Sequence, residues 1–275
     1  PAMKKILFLA FLSYATVAFS ETGEFRGQAA NDLVEGAELV WIKQNNTIPS
    51  FIQYRHGNEM PEGEFLLYLK KKFLLPEAYF FQQTKNETDL LGWQHNRYQV
   101  YVNGVPVGNA NFVLHLRNGR VEKFNGYIFK NISTGPIASL DEASALSKAL
   151  EDIGATTYKW QLPGEEDFLK QESGNLSATF FPKGTLEIVQ VGDINSTNFK
   201  LGWKFDVYAH EPMGRFYVYV DAQTGKVLKK VSRICDVNTN GTAVTAYRGA
   251  RGIVSDSNAG SYRLRETTRG LGVRT

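Results

Sequence analysis

Apolar and polar positions follow two different periods along this chain. GWQHNRYQVYVNGVPVGNANFVLHLRNGRVEKFNG (92–126) is rich in Tyr and Val and reads as strands broken by NG, VPVG and NG turns, the run of strands extending over 93–130. Asn103-Gly104 and Asn118-Gly119 interrupt it, and both dipeptides tolerate the positive φ that tight hairpin turns require. Upstream, AELVWIKQNNTIPSFIQYRH (37–56) predicts two strands about an Asn-rich turn. In PEGEFLLYLKKKFLLP the period changes. Phe65, Leu66, Leu69 and Phe73 share one face of a helix that Pro76 stops, and residues 78–84 return to a strand.

The same order recurs after NISTGPIAS (131–139), which reads as a linker. Ser139-Leu140-Asp141-Glu142 predicts a capping box with Ser139 as N-cap. Ala143, Leu146, Leu150 and Ile153 form the apolar stripe of the following helix, and Gly154 ends it. The stretch to Pro182 is acidic and carries no clear period. Strands are expected at 185–191, 200–209 and 215–221. In the middle one Leu201, Trp203, Phe205 and Val207 share a face opposite Lys204 and Asp206, so one side is buried and the other solvated. RNGRV (117–121) and QTGKV (223–227) are similar turns. The expected fold class is α+β: two units, each a helix packed on an antiparallel β-sheet. Beyond Cys235 the chain turns to Gly, Thr, Ser and Arg with short strand runs, a β-rich stub of a further domain.

Composition narrows the class. A chain of 275 residues can bury two modest cores. A formal net charge of +3 gives no argument for nucleic acid, and Lys70-Lys71-Lys72 reads as a solvated helix face. Lys4-Lys5, the apolar run Ile6 to Ala18 and the small residues Ala18 and Ser20 predict an export signal over 1–20, cut before Glu21, and hence a secreted protein with no membrane association after its removal. Cys235 is the only cysteine, so no intrachain disulfide can form. Six Asn-x-Ser/Thr sequons begin at Asn45, Asn86, Asn131, Asn175, Asn195 and Asn240.

No catalytic constellation is legible. A zinc hydrolase needs two histidines one helical turn apart with a glutamate between them. Here His56, His95, His115 and His210 are far apart in sequence, and His-Glu-x-x-His is absent. His95 and His115 could face each other across strands, without an evident third ligand. There is no Gly-x-Ser-x-Gly elbow and no phosphate loop, and Cys235 has no neighbouring histidine. On its residues alone the chain has no catalytic group, no metal site and no cofactor.

HNRYQVYVNGVPV (95–107) with VLHLRNGRV (113–121) nevertheless resembles the propeptide motif of fungalysin and thermolysin precursors, through His95, Arg97, Tyr98, Gln99, Tyr101, Gly104, Pro106, His115, Gly119 and Val121. Val100 departs from the family's second Gln, and Gly108-Asn109-Ala110 from its usual large residue followed by Gly-Ala; both departures are expected in or beside turns. LGWKFDVYA and FYVYVDAQTGKVL resemble a PepSY unit, and GSYRLRETTRGLGVRT resembles the opening of a mature thermolysin-like (M4) protease. The resemblance implies a signal peptide (1–20), an N-terminal propeptide unit (21–131, motif 92–126), a PepSY-like unit (132–232), a processing junction (233–240) and a truncated start of the peptidase domain (241–275). It implies an intramolecular chaperone and inhibitor whose partner is its own M4 catalytic domain. That missing domain would hold zinc and calcium and carry the metalloendopeptidase activity. Cleavage is expected at Arg233–Ile234 first and at Asp236–Val237 second, with Cys235 as a possible latency thiol. The alternative is a free-standing secreted PepSY-type binding or inhibitor module.

Overall fold

A computed structural model describes residues 22–132, 137–193 and 195–234, and beyond them the strand segments 238–245, 249–258, 261–263, 265–266 and 273–274. It is mixed α+β, with four α-helices and a large, mostly antiparallel sheet among the described residues. Two compact units divide the chain. The first takes in the residues up to Glu77 with Gln82–Gln99 and Ala110–Lys130; the second takes in Ala78–Phe81, Val100–Asn109 and the chain from Asn131. The expected export signal lies outside the described residues.

The first unit opens with β1 (Gly23–Arg26), α1 (Gln28–Leu33), β2 (Ala37–Ile42), β3 (Phe51–Tyr54), β4 (Met60–Pro61) and α2 (Glu62–Lys72). The hairpins follow as β5 (Tyr79–Thr88), β6 (Gln94–Val102), β7 (Val105–Arg117) and β8 (Arg120–Gly126), of which Tyr79–Phe81, Val100–Val102 and Val105–Asn109 count with the second unit. Strand neighbours run β1-β2-β3-β8-β7-β6-β5, with β4 also on β8.

Both Asn-Gly turns form as read. Asn103 and Gly104 have φ of +51° and +77°, and Asn118 and Gly119 +51° and +74°. Positive φ at both central residues is the type I′ arrangement, whose twist matches the flanking strands. A Cβ on Gly104 would meet nothing within 4 Å, so substitution there tests the backbone alone. Gly104→Val is expected to cost about 1–3 kcal/mol in urea unfolding. Gly104→Asn, which enters the left-handed region readily, should recover most of that loss; equal losses would refute the backbone account.

The core of this unit is a contiguous aromatic cluster. α2 turns Phe65 and Leu69 inward, both fully buried; of the three lysines expected in water Lys71 and Lys72 are exposed, while Lys70 is half-buried. Phe65 and Phe124 have ring centroids 6.0 Å apart, Phe124 and Phe112 5.3 Å, and Tyr98 stacks on Phe112 at 5.0 Å. The helix carries Glu62 and Glu64 in its first turn and Lys70, Lys71 and Lys72 in its last, which complements its dipole.

The second unit continues with α3 (Glu142–Ile153), β9 (Thr157–Tyr158), a 3-10 turn (Lys159–Gln161), α4 (Glu165–Ser173) and the antiparallel meander β10 (Thr185–Gln190), β11 (Phe199–Glu211), β12 (Gly214–Asp221) and β13 (Val227–Ser232). Its core joins Ala145, Leu146 and Ala149 of α3 to Phe205, Val207, Val218 and Val220 of the sheet. Beyond it β14 (Asn238–Thr245), β15 (Gly249–Asn258) and β16 (Ser261–Arg263) form an antiparallel ribbon, and β17 (Arg265–Glu266) pairs β18 (Val273–Arg274).

Three local readings need correction. The N-cap of α3 is Asp141, whose carboxylate accepts from the Ser144 N–H at 2.7 Å, while the Ser139 hydroxyl donates to Gln223. The helix is accordingly rotated: Ala143 is exposed, and Ala145 and Ala149 take the buried face. The acidic stretch before Pro182 contains α4, which buries no residue and so leaves no period to read; left-handed glycines, Gly164 and Gly174, bound it. Val100 lies within β6, fully buried, not beside a turn, and Gly108-Asn109-Ala110 lies within β7. A Cβ on Gly108 would stand 2.3 Å from Glu187 Oε1, and Asn109 has φ of +61°. The departure at 108–110 therefore marks a close approach and a kink in a strand.

Candidate functional site

The motif residues gather on β6, β7 and β8. His95 and His115 meet Nδ1 to Nδ1 at 2.8 Å, with rings close to perpendicular. On the far side, His95 Nε2 lies 3.3 Å from Asp89 Oδ2. Asp89 is fixed in turn by the Leu91 and Trp93 N–H groups, each donating to Oδ1 at 2.9 Å, and these contacts hold its carboxyl below the usual range. Two nitrogens sharing one tetrahedral ion at about 2.0–2.1 Å each stand more than 3 Å apart, so this pair bonds through a proton, and Asp89 sits on the wrong nitrogen to complete a metal site. No group of three His, Cys, Asp or Glu side chains among the described residues is placed to hold a metal.

Burial, then the neighbouring His95, Lys123 and Arg97, push the His115 imidazole below its ordinary value. A base whose folded pKa is depressed binds its proton more readily in the unfolded chain. Its contribution to stability is complete above the unfolded pKa of about 6.5 and declines as pH falls through the depressed value. The urea midpoint should therefore drop as pH is lowered from about 6.5 toward the depressed value, and His115→Leu should flatten that slope. A slope unchanged in the variant would assign it elsewhere.

A second cluster ties α2 to β6. Asn96 Nδ2 and the Tyr98 hydroxyl both donate to Glu62 Oε1, at 2.6 and 2.7 Å. Burial, with the Glu62 carboxylate beside it, drives the Tyr98 phenol pKa up. Gln99 Nε2 donates to the Ala110 carbonyl at 3.0 Å, holding β6 to β7. Arg97 faces outward, 3.8 Å from Glu87. Val121 is fully buried on β8, Pro106 is half-buried near the start of β7, and Tyr101 faces Phe80 at 6.4 Å. Trp93 receives the Arg117 guanidinium 4.3 Å above its ring. So the motif is a scaffold: the matched positions set turns, core and hydrogen bonds.

Sequence reasoning missed Asp89, Trp93, Asn96 and Glu62. Asp89 was accessible, because an Asp two and four residues before N–H groups it can bind, with Gly92 between, is a turn pattern. Glu62 was not, lying 34 residues from Asn96.

Of the junction, Arg233 and Ile234 are described; Cys235, Asp236 and Val237 lie outside the described residues. Arg233 has its N–H on the Arg215 carbonyl at 2.7 Å and its guanidinium on Asp206.

These motif residues fall inside a stretch, 81–128, that matches the family model described as Fungalysin/Thermolysin Propeptide Motif. Bacillolysin of Bacillus amyloliquefaciens is 28% identical over 189 residues, 67% of this chain and 33% of that protein. Thermolysin of Bacillus caldolyticus is 26% identical over 263 residues, 86% of this chain and 44% of that protein. Over most of its length the chain is thus similar to thermolysin-like proteases, and it carries their propeptide motif. It spans about a third to under a half of the length of these relatives. Among solved structures, the Bacillus megaterium YpeB C-terminal domain is similar at 12% identity, over 70% of this chain and 75% of that one, with a TM-score of 0.30. Within the chain the matched motif begins in β5 and ends just past β8, so it spans three consecutive hairpins.

Proposed function

We propose that residues 21–232 are the propeptide of a secreted thermolysin-like zinc metalloendopeptidase, acting as intramolecular chaperone and inhibitor of its own catalytic domain. In this reading 1–20 is the export signal, 21–131 and 132–232 are two propeptide units, each a helix on an antiparallel sheet and the second PepSY-like, 233–240 is the processing junction and 241–275 begins the peptidase domain. Zinc and calcium belong to that catalytic domain.

The observation that carries the proposal is the propeptide motif on a run of hairpins with an open edge among the described strands. β5 pairs only with β6 among the described strands, and Gln82–Thr88 are exposed. At its tip the Asp89 turn presents Leu90 and Leu91, 105% and 80% exposed. An unpaired strand edge with an ordered apolar tip can template a partner sheet through backbone hydrogen bonds, without chemistry of its own. Long-range β-contacts form slowly, so such a template lowers the folding barrier of a β-rich partner.

The test is inhibition in trans. The 275-residue chain, added to the mature protease of its own precursor, should suppress casein hydrolysis. Leu90→Asp combined with Leu91→Asp should weaken inhibition about tenfold or more, as loss of an exposed apolar anchor does at interfaces, without moving the urea midpoint. Unimpaired casein hydrolysis at saturating chain would reject the inhibitor reading.

A further inference from the structure

The end of the second unit carries a cluster that the proposed function leaves unused. Asp206, on the solvated face of β11, receives two arginines. Arg215 of β12 donates from Nε at 3.0 Å and from Nη2 at 2.8 Å, and Arg233 donates to Oδ2. The Asp206 hydrogen bonds raise the Arg215 pKa further. The Arg233 guanidinium also lies 4.4 Å above the Tyr217 ring, and the Arg215 guanidinium 5.1 Å above that of Tyr208. The backbone joins in. The β12–β13 ladder closes at Phe216 opposite Ser232, the Arg233 N–H extends it to the Arg215 carbonyl, and the Ser232 hydroxyl donates to the Ile234 carbonyl at 2.9 Å. Arg233 is thus held by its backbone, its charge and its stacking, one residue past the last strand of the meander.

We propose that Asp206 and Tyr217 form a latch on Arg233 that protects the Arg233–Ile234 bond in the folded chain and moves the first accessible bond of the junction beyond Ile234. An endopeptidase binds several residues on each side of the cut bond in extended form, so residues 231–233 would have to leave β12 first. Cleavage there requires local opening, and the latch adds to the free energy of that opening. Of the two junction bonds with a bulky apolar residue on the far side, Asp236–Val237 becomes the preferred one. Protection of the bond stands on the geometry alone; its consequence for maturation rests on the propeptide reading.

Limited proteolysis of the whole 275-residue chain with added thermolysin, read by mass spectrometry and N-terminal sequencing, separates the two. Fragments beginning at Ile234 should be scarce from the unsubstituted chain. In Asp206→Asn and in Tyr217→Leu they should form about tenfold faster, the effect of losing about 1.4 kcal/mol of local stability. Both variants leave the cleaved dipeptide unchanged, and Tyr217→Leu also leaves the Asp206–Arg215 pair intact, so it decides the matter if Asp206→Asn loosens the sheet. Equal rates of cutting before Ile234 in the unsubstituted chain and in Tyr217→Leu would overturn the latch. A mature enzyme of the complete precursor that begins at Ile234, with the latch behaving as stated, would overturn only its role in maturation.

Discussion

Phe124→Ala is expected to cost about 3–5 kcal/mol, a third or more of the stability of an ordinary domain. The side chain is fully buried, and its ring is shared by two others, Phe65 of α2 and Phe112 of β7. Truncation removes the ring that packs the helix against the hairpins, and fixed strands on both sides prevent the space from collapsing. Phe124 lies opposite Ile52 and Leu114 in the strand ladders, so its neighbours are held on both edges. Equilibrium urea unfolding should show the midpoint falling with little change in slope. A loss below about 1 kcal/mol would mean that the cavity closes, and that α2 is held by the Glu62 hydrogen bonds more than by packing. Inhibition in trans should fall in proportion to the unfolded fraction, in contrast to the Leu90 and Leu91 variants, which should lose inhibition while folded.

That contrast follows from how the site is built. The motif at 95–121 was legible because its residues do local work: Asn-Gly pairs make type I′ turns wherever strands flank them, and alternation decides which face of β6, β7 and β8 is buried. The same local logic placed α2 and the buried face of β11. It failed where the deciding partner is distant or the period is absent. Glu62 accepts hydrogen bonds from Asn96 and Tyr98 from another element, and no pattern around any of the three announces it. α4 packs no residue into a core, so it offers only acidic first-turn chemistry and two glycines. Ser139 and Asp141 are both competent caps, and the contest was settled by Gln223, which engages the serine hydroxyl from 84 residues away. His95 and His115 were seen as possible partners. That their contact ends in a hydrogen bond and not a metal site depends on Asp89 being on the outer nitrogen, a matter of strand register.

Gly126→Ala should be nearly as damaging as the loss of Phe124, for the opposite reason: it adds one carbon. Gly126 closes β8 with φ of +147°, where an L-residue is strained. An added Cβ would stand 2.3 Å from the Asn111 carbonyl oxygen, 2.4 Å from Phe112 Cα and 2.6 Å from Phe112 Cβ. Two of these are backbone atoms, so no rotamer change relieves the clash. Neither strand is free to retreat. The Gly126 N–H donates to the Ser50 carbonyl and the Tyr127 N–H to that same Asn111 carbonyl, both at 2.9 Å, and Phe112 is pinned between Tyr98 and Phe124. Backbone strain of about 1–3 kcal/mol and overpacking of about 1–3 kcal/mol combine to an expected loss of about 3–5 kcal/mol. Gly23→Ala separates the two contributions. Gly23 has nearly the same φ, +143°, with nothing within 4 Å of an added Cβ. Its substitution should cost the backbone strain alone, about 1–3 kcal/mol. If the two glycines respond alike in urea unfolding, the close approach of β7 to β8 contributes nothing, and the packing argument for Gly126 fails.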